Sequence, residues 1–294
     1  MRILITGANG FVGRYLKKEL DGYGHEVWGI DFSSQSHDVI SADICDNGKL
    51  HDTLMKIQPE IVYHLAAVSQ VKSDDVSLVY KININGTINL LEGCVSLKGK
   101  PKFVFISSSQ VYGSVPDDMH PIDEKAPINP VNHYGASKAA GEMLVRAFGC
   151  EYGLEYVIFR PFNHTGPGQN EYFVVPKIVK AFKENNSAIK LGNINAVRDF
   201  LDVRDVVRAY TMIVDRFTNG AIYNIASGKP IRIYDIVQKL IEITGMQMKI
   251  EATEQYLRPN DILKSVGSAR NIQDMLGWKP EIDFITTLKD MLKE

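Results

Sequence analysis

Cysteine is scarce: Cys45, Cys94 and Cys150 are the only three in 294 residues. Their number is odd and none sit at metal-ligand spacing. A disulfide scaffold and a zinc module are therefore not expected, and no metal site is read from the sequence. The three read as reduced thiols of a cytoplasmic protein. No run of 18 or more apolar residues occurs, so no membrane-spanning helix is expected. The first strand begins at Arg2, which on this reading leaves no room for a signal peptide. Excess charge is missing as well. Thirty-three Lys and Arg against 35 Asp and Glu leave a net charge of −2, so nothing argues for nucleic acid or an anionic membrane as partner. Repeats and low-complexity segments are absent too. What remains is an ordinary globular composition, long enough for one large or two unequal domains.

The most informative stretch is the first. Arg2 to Thr6 is a short apolar run, as a strand buried on both faces requires. Gly7-Ala8-Asn9-Gly10-Phe11-Val12-Gly13 follows, and from Phe11 a helical pattern places Val12, Tyr15, Leu16 and Leu20 on one face. The glycines thus sit on a strand-to-helix turn. There they permit a tight bend and a close approach of a pyrophosphate to the main chain, while the helix N-terminus offers free N–H groups. The spacing is G-x-x-G-x-x-G rather than G-x-G-x-x-G, a weak signal alone; the strand before it and the helix after it make it a dinucleotide site. Gly7, Asn9, Gly10, Phe11, Val12 and Gly13 are the expected contacts. A second strand, His25 to Asp31, ends in an acid 18 residues past Gly13. A carboxylate there accepts hydrogen bonds from ribose hydroxyls and repels a 2′-phosphate. No arginine follows nearby, so NAD(H) is favoured over NADP(H).

Further along, Val39 to Ala42 is extended and leads into Asp43 and Ile44, both placed at the cofactor. Ile61 to His64 is a strand running into Leu65, Ala66 and Ala67, whose small side chains let a cofactor lie close to the backbone. His64 inside an apolar strand end reads as structural. Leu78 to Leu97 has the apolar face of a long helix. The strand Lys102 to Ile106 leads into Ser107-Ser108-Ser109-Gln110, hydroxyls at a strand's carboxyl end where open α/β sheets bind ligands. A loop spans Pro116 to Pro130. Tyr134 and Lys138 lie four apart at the start of a helix reaching Tyr152, on one face. Alone, that pair reads more readily as two solvated side chains. A strand from Tyr156 to Arg160 breaks at Pro161 into a Gly/Pro-rich turn. Helix is expected from Tyr172 to Asn185, from Arg198 to Asp205 onward, from Ile231 to Thr244, and over Asn271–Leu276 and Phe284–Lys293. Strands and helices alternate through the first 165 residues, which predicts an α/β fold with a doubly wound parallel sheet and a smaller mixed α/β C-terminal domain. The expected division is 1–165 plus about 196–228 for the dinucleotide, and about 166–195 plus 229–294 for the substrate.

Four features occur in one order: the three glycines, Asp31, Ser108, and Tyr134-x-x-x-Lys138. Together they resemble the extended short-chain dehydrogenase/reductase family. Arg160 to Gln169, Gly192 to Asp205, Leu257-Arg258-Pro259 and Gly277-Trp278-Lys279-Pro280 look like its branch of GDP-mannose 4,6-dehydratases and GDP-4-keto-6-deoxy-mannose reductases, nearest the reductases. The resemblance implies a catalytic set of Ser108, Tyr134 and Lys138, the last two also touching the cofactor. It also implies substrate contacts from Ser108, Ser109, Gln110, Asn163, Val174, Lys177, Arg198, Arg258 and Asp261. Gln110 stands where the dehydratases carry a catalytic glutamate. A guanidinium fork suits the diphosphate of a GDP-sugar. The function implied is reduction of the C4 ketone of a 4-keto-6-deoxy hexose on a nucleoside diphosphate, in a homodimer built on the helices at Leu78–Leu97 and Tyr134–Tyr152. A 4-epimerase with tightly held NAD, and a non-enzymatic dinucleotide sensor, are the alternatives.

Overall fold

A computed structural model describes residues 1–33, 38–69, 75–253 and 261–294; Arg258, and the loop read at Leu257–Pro259, lie outside them. The opening apolar run is strand β1 (Arg2–Thr6) and the helix after the glycines is α1 (Phe11–Gly22). β2 (Glu26–Asp31), β3 (Val39–Ser41), α2 (Asn47–Ile57) and β4 (Ile61–His64) follow. α3 (Val76–Tyr80) continues through a π-helical stretch, Lys81–Gly86, into α4 (Thr87–Ser96), so the long helix expected here has wide turns inside it. β5 (Lys102–Ile106), α5 (His133–Tyr152) and β6 (Tyr156–Pro161) complete the alternation. Beyond them come β7 (Asn163–Thr165), α6 (Val174–Lys183), β8 (Ala188–Leu191), β9 (Val197–Asp202), α7 (Val203–Met212), β10 (Ala221–Ile225) and β11 (Pro230–Arg232). α8 (Ile233–Thr244), β12 (Lys249–Ala252), β13 (Lys264–Ser265), α9 (Arg270–Leu276) and α10 (Phe284–Lys293) end the chain.

Seven strands form one sheet in the order β3-β2-β1-β4-β5-β6-β10. The pairings from β3 through β6 are parallel, as the alternation of strands and helices predicts. β1 to β3 wind one way and β4 to β6 the other, so the order reverses between β1 and β4. At that reversal the carboxyl ends of two adjacent strands leave a crevice, the usual ligand position of this architecture.

Two compact units form: Met1–Gly113, Pro127–Pro161 and Val207–Tyr223, and Ser114–Ala126, Phe162–Val206 and Asn224–Glu294. This is more interleaved than the expected division. Residues 114–126 belong to the second unit because Ile122 N–H donates to Val266 O (2.9 Å) and Asn224 N–H to Glu124 Oε1 (2.7 Å). The core of the first unit gathers Leu4, Ile30, Leu54, Val62, Leu90, Phe103, Val145 and Ile158. That of the second gathers Val179, Phe182, Leu191, Ile236, Leu240 and Leu288. Each fully buried aliphatic side chain contributes about 1.5–3 kcal/mol.

One sequence expectation is corrected. Arg198 does not begin a helix: Val197–Asp202 is β9, and the helix starts at Val203. β9 pairs with β7, β11 and β13, and Asp199, Phe200, Leu201 and Asp202 are all buried. Burial on both faces of a central strand removes the polar–apolar alternation that would have revealed it.

The first turn is built on contact between backbones. Gly7 has φ +74°, and a Cβ there would lie 2.9 Å from Ala66 N. Gly7→Ala is therefore expected to lower stability by about 1–3 kcal/mol, the scale of a strained residue held by its surroundings. A urea midpoint equal to that of the unsubstituted protein would show that the turn relaxes freely.

Candidate active site

The turn after β1 forms a cradle. Gly7 N–H donates to Ile30 O (2.8 Å) and Gly10 N–H to Gly7 O (3.1 Å), which folds the glycine turn across the end of β2. A Cβ on Gly13 would lie 2.2 Å from Gly7 O, so helix and turn could not approach this closely with any side chain there. No side chain caps α1, and its first turn holds no acid. The helix start thus offers N–H groups and a positive dipole end without a competing anion. Asp31 sits beside this turn: its Oδ2 accepts from Asn9 N–H (2.9 Å) and its Oδ1 from Phe32 N–H (2.8 Å). Asn9 Nδ2 in turn donates to Ser33 O (2.5 Å). Each carboxylate oxygen retains one acceptor position, so both can still receive ribose hydroxyls. These residues fit a dinucleotide: a close-approach turn, an uncapped helix and an oriented carboxylate. Phe11 and Val12 open α1. Ile44 is buried, while exposed Asp43 spends its Oδ1 on Cys45 N–H (2.8 Å).

The turn after β4 is fixed by a chain of polar side chains that sequence reasoning does not find. Ala66 N–H donates to Thr6 Oγ1 (3.2 Å), and Thr6 Oγ1 meets His64 Nδ1 (2.7 Å). His64 Nε2 meets Thr87 Oγ1 (2.8 Å), which itself donates to Asn83 O (2.7 Å). Thr87 has given its proton away, so His64 donates from Nε2 and accepts at Nδ1. Burial first, and then the positive Lys138, push His64 down to about 3, so the ring is neutral. Both nitrogens are committed, which agrees with a structural role. Asn83 extends the chain: its Oδ1 accepts from Val68 N–H (2.8 Å), and its Nδ2 donates to Ser137 Oγ (2.9 Å) on α5. This ties the segment after Leu65, Ala66 and Ala67 to the helix that carries Tyr134. The available signal is weak: Asn83 and Thr87 lie four apart on a helical segment that carries other polar residues as well, Lys81, Asn85, Asn89 and Glu92 among them.

Ser108, Tyr134 and Lys138 come together. β5 ends at Ile106, and Ser108 precedes a single 3₁₀ turn, Ser109–Tyr112, whose Gln110 N–H it receives (3.2 Å). α5 opens at Asn132, whose Oδ1 accepts from Gly135 N–H (2.8 Å) as an N-cap. That opening places Tyr134 in the first turn, near enough to Ser108 for the serine hydroxyl to act on the phenol. Burial pushes the phenol up to about 12, and the Ser108 hydroxyl opposes this. Lys138 Nζ donates to Ile106 O (2.8 Å) and lies 5.2 Å from the centre of the Phe105 ring. Burial brings the ammonium down to about 8, against the pull of Glu142.

Gln110 has a fixed orientation. Asn132 uses Oδ1 for the cap, so its Nδ2 is the donor to Gln110, whose Oε1 accepts (3.0 Å). The Gln110 NH₂ is therefore the end not held by Asn132, and it can only donate. Ser109 is buried in the same turn.

The remaining expected substrate contacts lie in the second unit, apart from Arg258 outside the described residues. Asn163 begins β7, and its Oδ1 is buried with no hydrogen-bond partner among the described residues. Val174 opens α6, and Lys177 Nζ on that helix donates to Lys190 O (2.9 Å). Arg198 and Asp261 form an ion pair (3.0 Å), and Asn193 Nδ2 also donates to Asp261 (3.1 Å). Among the described residues, no group of three or more His, Cys, Asp or Glu could hold a metal, and no helix is long and apolar enough to cross a membrane.

Residues 4–291 match the family described as GDP-mannose 4,6 dehydratase. The chain is 32% identical over 300 residues to a GDP-6-deoxy-D-mannose reductase of Pseudomonas aeruginosa, covering 100% of this chain and 96% of that one. A solved structure of RMD from Pseudomonas aeruginosa complexed with NADPH superimposes with a TM-score of 0.88 at 31% identity, over 99% of this chain and 97% of that one. A UDP-glucose 4-epimerase of Thermus thermophilus in complex with NAD superimposes with a TM-score of 0.91 at 28% identity, over 100% and 98% of the two chains. The glycine cradle, the Tyr134–Lys138 helix and the match along nearly the whole length together assign the chain to the GDP-mannose 4,6 dehydratase family of extended short-chain dehydrogenase/reductase enzymes, which use nicotinamide dinucleotides.

Proposed function

We propose that this enzyme reduces the C4 ketone of a nucleoside-diphosphate 4-keto-6-deoxy hexose, with GDP as the nucleotide and a 6-deoxy-mannose-type sugar as product. Gln110 carries this reading. Removing water across C5 and C6, as a dehydratase does, needs a base for the C5 proton. Gln110 stands in the dehydratase glutamate's place as a neutral amide, its oxygen already held by Asn132. Reduction needs no such base. The similarity to a GDP-6-deoxy-D-mannose reductase supports the same choice.

The bound nicotinamide supplies the hydride. Tyr134 is protonated throughout the neutral range, since burial pushes it up to about 12, and it donates to the oxygen that gains charge. Lys138 is cationic below about 8 and stabilises the phenolate that forms. Ser108, beside Tyr134, orients the same oxygen. In the second unit the open Oδ1 of Asn163 accepts from a sugar hydroxyl, and Arg198, whose Nη2 also pairs with Asp261, is the diphosphate ligand. Ser109, Val174, Lys177, Asp261 and Arg258 complete the proposed substrate set. A sensor would need no such acid–base set, so the non-enzymatic alternative is disfavoured.

Absorbance of reduced cofactor should fall mole for mole with a GDP-linked 4-keto-6-deoxy hexose, and product identification gives the C4 configuration. Turnover should decline as pH rises through about 8, where Lys138 loses its charge. Tyr134→Phe should cost at least about 10²-fold in kcat. Conversion of GDP-mannose itself, or an epimerised hexose with no net loss of reduced cofactor, would overturn the reductase reading. The second outcome would select the epimerase that the structural likeness keeps in view.

For the cofactor we propose NADH over NADPH. Asp31 is held by two backbone N–H groups beside the turn, so its charge cannot swing away from a 2′-phosphate without breaking both. The relative complexed with NADPH is the counterweight. The kcat/KM ratio should favour NADH by about tenfold or more, the scale on which one nearby like charge acts. Equal use of NADPH would show that another group sets the preference.

The homodimer is proposed on the helices α3–α4 and α5, where Leu78, Met143 and Tyr152 are exposed. Light scattering should give twice the 32.9 kDa chain mass. A mass of one chain at micromolar concentration would reject it. A cytoplasmic location remains part of this proposal.

A further inference from the structure

Three charged side chains are buried among the described residues of the first unit: Lys138 (4% exposed), Glu142 (0%) and Arg160 (2%). Only Lys138 has a part in the chemistry above. Taking Glu142 and Arg160 out of water is costly, and apolar side chains of similar volume often serve stability as well. Their geometry suggests a different use.

Tyr134, Lys138 and Glu142 lie four residues apart in turn, on one face of α5. Opposite them, three consecutive residues at the end of β5 each hold one member of that row. Lys138 Nζ donates to Ile106 O (2.8 Å), Ser107 Oγ donates to Glu142 Oε1 (2.6 Å), and the Ser108 hydroxyl acts on the Tyr134 phenol. Arg160 on β6 completes the arrangement. Its Nε donates to Glu142 Oε1 (2.8 Å), its Nη2 to Oε2 (2.6 Å), and its Nη1 to Tyr112 Oη (3.0 Å) at the end of the 3₁₀ turn after Ser108. One carboxylate thus fixes the strand end, the turn beyond it and the neighbouring strand.

We propose that Glu142 is a positioning residue for this site, on the oxidoreductase reading above. Through Ser107 it sets Ser108 against Tyr134, and its charge, one helical turn from Lys138, keeps that lysine cationic, while Arg160 holds the carboxylate in place.

The surroundings of Lys138 bear this out. β4 presents His64, which is neutral. β5 presents the Phe105 ring and the Ile106 carbonyl. α5 itself presents Tyr134, protonated at neutral pH, and Glu142. Arg160, on β6, reaches this group through Glu142. Glu142 is therefore the anion that offsets the burial of the ammonium, and it is the group that acts in that direction on Lys138.

The test follows the Lys138 side chain directly, by carbon-13 NMR of protein labelled at lysine Cε, the signal being assigned by its loss in Lys138→Met. Two variants are compared with the unsubstituted protein: Glu142→Gln, which keeps the shape, and Glu142→Leu with Arg160→Met, which removes both charges and leaves neither unpaired. In each, the Lys138 titration midpoint should move down by about one pH unit, the low end of the effect of a nearby opposite charge. Turnover at pH 8 should fall by about fivefold with little change in KM. A midpoint lowered from about 8 to about 7 cuts the charged fraction at that pH from about one half to about one tenth. A double variant with an unmoved lysine midpoint and unchanged turnover would show that the pair serves packing alone, and the proposal would fail. If the unsubstituted protein does not reduce the keto sugar, the functional reading fails, while the lysine midpoint still decides the role of Glu142.

Discussion

The turn after β1 rests on the turn after β4 with no room for a side chain between them. Gly7 would place a Cβ 2.9 Å from Ala66 N, and Gly13 would place one 2.2 Å from Gly7 O. Much else follows from that closeness. The sheet reverses its winding between these two strands, so the crevice that a parallel sheet leaves at a reversal is lined by bare backbone. β5 is the next strand beyond β4, and its carboxyl end carries Ser108 to the same edge of the sheet. α5 returns along that edge and brings Tyr134 and Lys138 to it. The hydrogen-bonded row Thr6, His64, Thr87, Asn83 and Ser137 then connects turn to helix through the interior, so none of these pieces is placed independently.

Buried charge is distributed unequally between the units. Among the described residues of the first unit it lies in one row beside Tyr134, with a lysine, a glutamate and an arginine in mutual contact or one turn apart. Among the described residues of the second it is spread over three aspartates used as anchors. Asp199 accepts from Ser227 N–H, Ser227 Oγ, Gly228 N–H and Gly267 N–H. Asp202 binds Arg204 and Thr287, and Asp205 receives Glu281 N–H and Ile282 N–H. Carboxylates that satisfy several main-chain donors hold irregular segments without a large apolar contact. In the first unit regular strands and helices already do that work, and its buried charges stand beside Tyr134, the proposed acid, instead.

The legibility of the sequence divides along the same line. Local patterns are enough for the first unit: an apolar run, a glycine turn and an acid 18 residues on specify a strand, a helix start and a second strand end. The Tyr134–Lys138 spacing is visible, but only its order relative to Ser108 and the glycines gives it meaning. Glu142 continues that spacing by one more step and attracts no notice in the sequence, because a glutamate on a helix ordinarily faces water and its partner Arg160 lies 18 residues away on a strand. β9 reads as the start of a helix, since a strand buried on both faces shows no alternation. The Arg198–Asp261 pair spans 63 residues, and no local spacing foretells it.

The same scaffold serves a reductase and an epimerase among the similar proteins. Fold does not separate these chemistries. What can separate them is the character of a few groups around a shared acid–base pair. A glutamate in the place of Gln110 could accept a proton; an amide cannot, and here a helix cap fixes which end of the amide is presented. The cap oxygen must accept from Gly135 N–H, so the cap nitrogen must donate, so Gln110 must accept through oxygen and show its NH₂ to the other side. A backbone requirement of α5 therefore reaches through two side chains to set the polarity of a position two residues past Ser108. That coupling makes the helix start more than a support for Tyr134: it fixes Gln110 as a donor through its free amide end, so that on the proposed substrate-binding reading a group facing that end must be a hydrogen-bond acceptor.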